Sequence, residues 1–568
     1  MRLKRALPLI LSAPIAVATL AKEGDEKMRP KTPRLAKPTP QQAAWQDLEV
    51  GMFIHFGPWT WQDLVEGGGP VPLSIMKPDQ LDTDQWVSVA EAMSAKYIVF
   101  VAKHGDGFCW WQTDTPNDSV KSIPWRDGKG DVLRDLSESC RKRGMKLGVY
   151  LSPADGQHGA AVGGKCKSDE GQEAYIKIYR RQLTELLSRY GEMMEVWFDG
   201  SLVFKVGDII KRCAPNAMVF QGPHATIRWV GNEDGYAPYP AWNAVSVSKD
   251  PARYGVYTAE DGDPDGDTWL PNECDARIRA DWAWTSRNAD TLKSVEELME
   301  MYYRSVGHGG ALLLNNTPDP TGLIPEADAR RSAEFGAEIK RRFSKSLAET
   351  AGAGDIVELT LAGPTRIDRV VTMEDIREGE RVREYVIEGM TDGAWREIAK
   401  GTAIGHKKID RFDPVEASKV RLRVVKCAAE PLIRKLAVYS AASAVGAETK
   451  GRETAAAGFQ KAREWTPGDV GVDWSNLDVD LVPWCKNATQ YEVVFKQTGG
   501  ANDLEIRSAT LLFEGVEAAH FVSKGKTAQT FLVTITGIGR GMVFRASVRG
   551  KGGTDTRGEV LIRERKIE

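Results

Sequence analysis

The chain has 568 residues, of which 27% are charged and 42% hydrophobic, proportions that are ordinary for a soluble globular protein. They exclude a wholly disordered, collagen-like or multi-spanning membrane chain. The net charge of −3, from 76 basic and 79 acidic residues, gives no global basic field, so we expect no nucleic-acid partner. Tryptophan is the commonest aromatic residue, with 17 copies against 16 Phe and 14 Tyr, and its ring suits flat, amphipathic ligands.

Residues 1–21 have the pattern of a secretory signal peptide. Three basic residues precede an apolar stretch from Ala6 to Leu20, and Thr19–Ala21 offers a cleavage site with small residues. The alternative is an N-terminal membrane anchor, but a stretch of about 15 residues with two prolines is short for a spanning helix. We therefore expect a secreted or periplasmic protein whose mature form has no membrane span.

From residue 41 to residue 347, short apolar runs alternate with amphipathic helical patterns. Predicted strands cover 52–54, 97–102, 146–151, 194–198, 218–221 and 311–314, and predicted helices cover 131–144, 171–190 and 294–306. Near-continuous apolar strands that alternate with helices favour a parallel sheet. Over about 300 residues, this repetition favours a (β/α) barrel.

The pattern changes after residue 347 to strands in which apolar and polar residues alternate. Residues 348–440 predict one small β-sandwich, residues 441–463 a linker rich in Ala, Gly and charge, and residues 464–568 a second β-sandwich. Residues 22–40 are charged and rich in proline, as expected of a flexible lead-in. The predicted fold is therefore α/β, with a TIM-like (β/α) barrel followed by two all-β sandwich domains.

The seven cysteines are scattered along the chain, and none forms a CxxC pair. A zinc site is therefore not expected. An odd and scattered set is not typical of a disulfide framework. It leaves one or two bridges open in an oxidising compartment, without indicating which cysteines would pair.

Polar side chains follow several of the predicted strands. In a parallel barrel, function gathers at the carboxyl ends of the strands. Asp199 directly follows strand 194–198, and Glu233 lies on a loop beyond the next strand, beside Trp229. Hydrolysis of a glycosidic bond needs two such carboxylates, one to attack or stabilise the sugar cation and one to protonate the departing oxygen. Taken singly, Asp199 also fits a turn residue and Glu233 a solvated loop acid.

Six ordered segments resemble glycoside hydrolase family 29, the retaining α-L-fucosidases. They are Gly51–Gly57, Ala102–Cys109, Asp131–Val132 with Cys140–Gly144, Leu147–Pro153, Glu195–Gly200 and Gly310–Pro318. The stretches Ile227–Gly235 and Pro271–Arg279 are similar to the branch of the family that favours α-1,3/1,4-linked fucose on branched glycans. The resemblance implies an exo-glycosidase that acts on a fucosylated oligosaccharide or glycoconjugate, with neither a cofactor nor a metal. It does not indicate an oligomeric state.

The resemblance also implies roles for individual residues. Asp199 would be the nucleophile and Glu233 the general acid/base of a double displacement. The implied substrate-binding residues are His55, His104, Tyr150, Trp197, Arg228, Trp229 and Glu66. Imidazole and guanidinium groups can read sugar hydroxyls, and an aromatic face can meet the apolar face of the sugar. Trp282 and Trp284 fit either the rim of such a site or packing between helices.

The chain departs from the family pattern at two places. The family usually has paired histidines where this chain has His104 and Gly105, and a Glu-Trp pair where this chain has Glu66 and Gly67. These departures favour, as an alternative, a glycosidase of the same mechanism with altered sugar specificity. A non-catalytic carbohydrate-binding protein is a third hypothesis, which the two retained carboxylates disfavour.

Overall fold

The computed structural model describes residues 35–63, 71–247, 261–440, 460–483, 490–499, 503–513, 516–522, 529–534, 542–551 and 556–565. The chain divides into two compact units, Met1–Ala444 and Val445–Glu568. Within these described ranges, none of the helices combines the length and the apolar character needed to cross a membrane.

Eight strands of the first unit form one parallel sheet. In chain order the strands of this region are β1 (Val50–Ile54), β2 (Tyr97–Lys103), β3 (Lys146–Leu151), β4 (Glu195–Trp197), β5 (Met218–Phe220), β6 (Arg228–Trp229), the antiparallel pair β7 (Ala244–Val245) and β8 (Thr268–Trp269), β9 (Asn272–Arg277) and β10 (Ala311–Asn315). The sheet order is β5-β4-β3-β2-β1-β10-β9-β6, and a parallel bridge between Phe220 and Ile227 joins its two ends. The predicted TIM-like barrel is therefore confirmed.

Helices and short turns connect these strands. The helices are α1 (Pro40–Gln46), α2 (Thr83–Ala92), α3 (Val132–Arg143), α4 (Asp169–Arg189), α5 (Gly207–Cys213), α6 (Val295–Arg304) and α7 (Glu326–Phe343). Short 3-10 helices cover Pro58–Gln62, Leu73–Ile75, Val120–Ser122, Trp125–Gly128, Gly156–His158, Val162–Gly164, Ser286–Thr291 and Ile376–Glu378.

Helix α3 shows how the sequence sets the bounds of these elements. The Asp131 side chain accepts a hydrogen bond from the backbone N–H of Arg134 at 2.8 Å, which satisfies one of the free donors at the helix start. The helix ends at Gly144, whose φ of 70° lies in the left-handed region that glycine adopts without a Cβ clash. The predicted helix 131–144 is therefore confirmed.

The barrel strands are apolar because they are buried on both faces. In β2, Ile98 and Phe100 pack in the core that also contains residues of the surrounding helices, whereas Tyr97 and Val99 pack in a separate cluster with Phe53, Tyr150 and Trp197. Successive side chains of a strand point to opposite faces, so a strand between two cores has no polar face. This double burial explains why short apolar runs identified β1 to β5 and β10.

Strand β9 has no such signature, and the sequence pattern does not predict it. Its Asn272, Glu273 and Asp275 are all buried, although each carries a polar side chain. Glu273 accepts hydrogen bonds from Tyr97 and Trp197, and Asp275 accepts one from Trp229. Because both carboxyl groups are paired inside the barrel, a polar sequence forms a buried strand.

The first unit also contains a six-stranded antiparallel sheet. Its strands are β11 (Ala348–Ala353), β12 (Ile356–Glu374), β13 (Val382–Thr391), β14 (Ala394–Gly401), β15 (Lys408–Cys427) and β16 (Leu432–Tyr439), in the order β11-β16-β12-β15-β13-β14. The pairing of β12 with β15 shifts register at two points, and such bulges bend long strands, here around one apolar core. Glu380 accepts a 2.7 Å hydrogen bond from the side chain of Asn243, which joins this sheet to the barrel region.

The second unit consists of two four-stranded antiparallel sheets around one core. Their strands are β17 (Gln460–Trp465), β18 (Ser475–Asp480), β19 (Gln490–Gly499), β20 (Asp503–Phe513), β21 (Val516–Val522), β22 (Gln529–Thr534), β23 (Met542–Lys551) and β24 (Arg557–Arg565), ordered β17-β24-β19-β22 and β18-β23-β20-β21. Phe495 of the first sheet and Phe544 of the second lie in the same buried cluster, as in a sandwich. Strand β17 begins at Gln460, inside the predicted linker.

Several predictions fall partly or wholly outside the described residues. They concern the signal peptide 1–21, most of the lead-in 22–40, residues 441–459 of the linker, and Cys485. The six cysteines within the described part of the chain are free thiols, so none of those six is bonded to another.

Candidate functional site

Four of the predicted site residues come together at the carboxyl ends of neighbouring strands. His55 follows β1, His104 follows β2, Tyr150 lies near the end of β3, and Asp199 follows β4 after one intervening residue. The His104 and Tyr150 rings are nearly parallel, with centroids 5.7 Å apart and an interplanar angle of 8°. The His55 centroid lies 6.1 Å from each of them. The barrel therefore brings three rings together, and we name His55, His104 and Tyr150 the ring cluster.

The carboxylate of Asp199 borders the ring cluster. Its Oδ2 accepts a hydrogen bond from the Tyr150 hydroxyl at 3.0 Å, while the residue itself is exposed. Tyr150 stands opposite Trp197 in the parallel pairing of β3 with β4, so the strand register brings its hydroxyl to Asp199. A carboxylate that is both oriented and accessible can act on a bound molecule as a nucleophile.

The carboxylate of Glu233 lies on the loop after β6, and 47% of its side-chain surface is exposed. Its Oε2 accepts a hydrogen bond from the indole N–H of Trp282 at 2.9 Å. The Arg277 guanidinium lies 3.7 Å from the same oxygen and 5.5 Å from the Trp282 ring centroid. One hydrogen bond and one longer ion pair therefore hold the same oxygen of Glu233.

Trp282 connects Glu233 to the ring cluster. The centroids of the His55 and Trp282 rings are 4.9 Å apart. A continuous line of contacts therefore runs from Asp199 through Tyr150, His55 and Trp282 to Glu233. Two carboxylates therefore border the same group of aromatic and imidazole rings, and glycoside hydrolysis uses a pair of carboxyl groups.

Trp197 lies in the barrel interior, next to the ring cluster. It is 4% exposed, and its indole N–H donates to Glu273 Oε2 at 2.8 Å. Its ring stacks on Phe220 with centroids 3.5 Å apart, and the Tyr150 centroid lies 5.9 Å away on a ring tilted by 25°. These contacts fix the indole from several sides.

Arg228 and Trp229 of β6 both bind backbone or side-chain oxygens inside the protein. Arg228 is 2% exposed and donates to the Trp242 carbonyl at 2.7 Å. The half-buried Trp229 donates its indole N–H to Asp275 Oδ1 at 2.8 Å. Burial raises the pKa of the Asp275 carboxyl well above its usual range, and the nearby charge of Glu233 raises it further. The Asp275 carboxyl therefore holds its proton more tightly than an ordinary aspartic acid does.

Gly105 leaves open space beside His104. A Cβ atom added at this position would have the Ala154 Cβ, 3.7 Å away, as its nearest neighbour. That separation is an ordinary van der Waals contact, so the Cβ atom of a larger residue would fit here. Glu66, the remaining predicted site residue, lies outside the described residues.

A buried ion pair supports the loops that follow β2 and β3. Lys103 Nζ lies 2.7 Å from Asp155 Oδ2, and both side chains have no exposed surface. Lys103 also donates to the Tyr175 hydroxyl at 3.2 Å, and Asn117 Nδ2 donates to Asp155 Oδ2 at 2.9 Å. Because Lys103 precedes His104, this network fixes the backbone next to the ring cluster.

The sequence pattern indicates no role for Asn315, Asp275 or Glu273, and it fits Trp282 either to the rim of the site or to packing between helices. Asn315 ends β10 and accepts a hydrogen bond from the ring of His55 at 2.9 Å, so its position at a strand end was a usable signal. The Trp282 contact depends on how its loop folds, and no spacing in the sequence indicates it. Within the described ranges, His, Cys, Asp and Glu side chains form no group of three or more that could hold a metal ion.

Comparison with known proteins identifies relatives of this chain. The family model for alpha-L-fucosidase matches residues 59–342. Alpha-L-fucosidase 1 of Arabidopsis thaliana is 32% identical over 457 residues, which cover 72% of this chain and 88% of the plant protein. A crystal structure of a glycoside hydrolase 29 family member from an unknown rumen bacterium is 29% identical, with a TM-score of 0.68, covering 94% of this chain and 100% of the other. The structure of a Ruminococcus gnavus fucosidase of family 29 in complex with fucose is 27% identical, with a TM-score of 0.64. The match covers 71% of this chain and 95% of the other.

Proposed function

Since this chain belongs to the alpha-L-fucosidase family, glycoside hydrolase family 29, we propose that it removes terminal α-L-fucose from glycans by a retaining double displacement. Asp199 is the nucleophile and Glu233 the general acid/base. The observation that carries this assignment is the line of contacts that joins the two carboxylates through Tyr150, His55 and Trp282. Residues 41–347 form the catalytic domain in this proposal.

In the first half of the reaction, an Asp199 oxygen attacks the anomeric carbon as the bond to the leaving oxygen breaks. Glu233 gives its proton to that oxygen, so the aglycone leaves as a neutral alcohol and the sugar is bound to Asp199 as an ester. In the second half, Glu233 accepts a proton from water, the water oxygen attacks the anomeric carbon, and Asp199 departs as a carboxylate. Two inversions retain the anomeric configuration.

The sugar is recognised by the ring cluster and its neighbours. His55, His104 and Arg228 offer nitrogen groups for sugar hydroxyls, and Tyr150, Trp197 and Trp229 offer aromatic surface, with Glu66 as an additional acceptor. The near-parallel pair of His104 and Tyr150 supports this proposal, because it presents two flat groups beside the Asp199 carboxylate.

The preferred substrate is α-1,3/1,4-linked fucose on branched glycans, and the enzyme acts outside the cytoplasm. The stretch Ile227–Gly235, which contains Glu233, supports the linkage because it is similar to that branch of the family. The basic and apolar pattern of residues 1–21 supports secretion or export to the periplasm.

Product analysis against defined fucosylated oligosaccharides tests the activity and the linkage. We expect fucose release from branched α-1,3/1,4-linked substrates and little release from linear α-1,2-linked ones. Asp199→Ala and Glu233→Ala should each lower the rate at least about 100-fold. The neighbouring exposed carboxylate of Asp234 supplies a matched control, and Asp234→Ala should keep the wild-type rate. A variant at Asp199 or Glu233 with near-wild-type activity would show that the corresponding role is wrong.

Rescue by azide separates the two roles. In Asp199→Ala, azide can replace the nucleophile and attack from the face opposite the leaving group, so an aryl α-L-fucoside should give β-L-fucosyl azide. In Glu233→Ala, azide should attack the fucosyl-enzyme and give α-L-fucosyl azide. The opposite pairing of variant and product would reverse the two assignments.

One observation favours a second candidate, a glycosidase of the same mechanism that accepts a different or substituted sugar. Gly105 leaves open space beside His104, within the proposed sugar site. A screen of aryl glycosides and substituted fucosides distinguishes the two candidates. Turnover of another sugar without turnover of any fucoside supports the second candidate, and sugar binding without any hydrolysis would contradict both.

A further inference from the structure

We propose that Trp282 is a positioning residue for the acid/base Glu233, and that the side-chain amide of Asn315 couples Trp282 to the sugar-binding His55. The inference rests on the proposed function, because it gives Trp282 a part in the protonation of the leaving oxygen. It stands on four hydrogen bonds and one ring contact, and of these hydrogen bonds only the one to Glu233 lies at an exposed position.

The Asn315 amide has one defined orientation. Its Nδ2 donates to the Trp282 carbonyl at 2.9 Å, and only the NH₂ end of an amide can donate to a carbonyl oxygen. Its Oδ1 must therefore face His55, whose backbone N–H donates to it at 3.2 Å. Because both bonds need this orientation, the two ends of the amide are not interchangeable.

The Asn315 amide also determines which nitrogen of His55 carries a proton. The ring Nδ1 lies 2.9 Å from Asn315 Oδ1, which can only accept a hydrogen bond. Nδ1 therefore carries a proton, whatever the state of Nε2. Asn315 is 1% exposed, so water does not compete for this bond, and the amide fixes both the tilt and the Nδ1 protonation of the imidazole.

The contacts continue from Asn315 to Glu233. The same amide holds the backbone of Trp282, whose indole N–H donates to Glu233 Oε2 at 2.9 Å. Glu233 is 47% exposed on a loop, so its side chain has freedom that a hydrogen bond would remove. With Oε2 held by the indole, the other oxygen is left to carry the proton toward the leaving group.

A positioning role through Glu233 has a specific kinetic signature. A general acid matters most when the leaving oxygen is strongly basic, and little when the leaving group departs readily as an anion. Trp282→Phe removes the indole N–H and keeps an aromatic ring beside His55. We expect it to lower kcat/KM about tenfold for 4-methylphenyl α-L-fucoside, because the indole N–H stabilises the carboxylate that forms as Glu233 gives up its proton. For the 2-chloro-4-nitrophenyl analogue we expect a loss of less than about twofold.

The experiment compares both fucosides in wild type, Trp282→Phe, Trp284→Phe, Asn315→Asp and Glu233→Ala. In the described part of the chain, the Trp284 indole makes no hydrogen bond, so Trp284→Phe is the matched control and should change both substrates equally or not at all. An ionised carboxylate in place of the Asn315 amide keeps an acceptor for His55 but cannot donate to the Trp282 carbonyl. Asn315→Asp should therefore show the same discrimination between leaving groups as Trp282→Phe.

The outcomes separate this inference from the function on which it rests. The positioning role would be overturned if Trp282→Phe lowered kcat/KM equally for both fucosides while Glu233→Ala lowered it mainly for the 4-methylphenyl fucoside. Glu233 would then remain the acid/base. Equal losses in Glu233→Ala would instead overturn the role of Glu233 itself. Selective losses in Trp282→Phe and Asn315→Asp, graded below that of Glu233→Ala, support the whole chain of contacts.

Discussion

The hydroxyl of Tyr150 donates a hydrogen bond to Asp199 Oδ2 at 3.0 Å, so a side chain of β3 holds the carboxylate that follows β4. The two strands are neighbours in the barrel, with Tyr150 opposite Trp197. The position of the proposed nucleophile is therefore set by the register of two buried parallel strands rather than by the loop on which it lies. This relationship gives the first prediction.

Tyr150→Phe should lower kcat about tenfold, because it removes a hydrogen bond to a charged group and frees the Asp199 rotamer. Steady-state kinetics on an aryl α-L-fucoside measure the effect. Tyr179→Phe is the control, since the Tyr179 hydroxyl donates to the Leu151 carbonyl at 2.8 Å and not to Asp199. An unchanged kcat in Tyr150→Phe would show that this hydrogen bond does not orient the nucleophile.

Gly105→His should fold normally and bind an unsubstituted fucoside more tightly. The root of the new side chain meets only the Ala154 Cβ at 3.7 Å, and one new hydrogen bond of about 1 kcal/mol to a sugar hydroxyl would lower KM about fivefold. Gly105→Ala, which adds no polar group, should leave KM unchanged. A KM that rises in Gly105→His while the unfolding midpoint stays constant would mean that the space serves another part of the substrate.

Lys103→Met should destabilise the protein by about 3–5 kcal/mol, because it leaves the Asp155 carboxylate buried without its partner. Lys103 and Asp155 are both fully buried, at 2.7 Å. Lys142→Met is the matched control, since Lys142 and Asp84 form an exposed pair and should contribute little. Urea unfolding of both variants tests this. Equal and small effects would contradict the supporting role of the buried pair.

Glu195→Gln should change how stability depends on pH. Glu195 and Glu273 are both fully buried, and burial together with the charge of Glu273 raises the pKa of Glu195 well above 4.5. A carboxyl with a raised pKa binds more protons in the folded state than in the unfolded state. The free energy of unfolding therefore falls as the pH rises from about 4.5 through the raised pKa.

Glutamine does not titrate, and its amide can still accept from Trp45 Nε1, which lies 2.9 Å from Glu195 Oε2. The stability of Glu195→Gln relative to wild type should therefore increase as the pH rises from 4.5 toward neutrality. Denaturant unfolding at several pH values measures this difference. A difference that stays constant with pH would show that Glu195 has an ordinary pKa in the folded protein.

The sequence predicts those parts of the barrel that follow from double burial. Apolar runs identify β1 to β5 and β10, and the residues at their ends include His55, His104 and Asp199. Strand β9 is missed because its carboxyl groups are paired inside the barrel with Tyr97, Trp197 and Trp229, contacts that no local pattern reveals. Polar residues can form a buried strand when their partners come from distant strands.

Within the site, too, the sequence predicts residues at strand ends but not contacts between loops. The placement of Asp199 follows from a strand end, whereas the Trp282 contact with Glu233 joins two loops that are 49 residues apart. The resemblance implies a sugar-binding role for Arg228, and its side chain is 2% exposed and bonded to the Trp242 carbonyl. Spacing indicates which residues reach the end of the barrel, but not which atoms they bind there.

Trapping of the sugar on the enzyme tests the assignment of Asp199 most directly. In 2-deoxy-2-fluoro-α-L-fucosyl fluoride, the fluorine at C2 slows both steps of a double displacement, while the fluoride leaving group speeds the first, so the covalent intermediate accumulates. Proteolysis and mass spectrometry should then place one 2-deoxy-2-fluorofucosyl group on Asp199. An adduct on another residue, or hydrolysis of ordinary α-L-fucosides with inversion, would contradict the proposed mechanism.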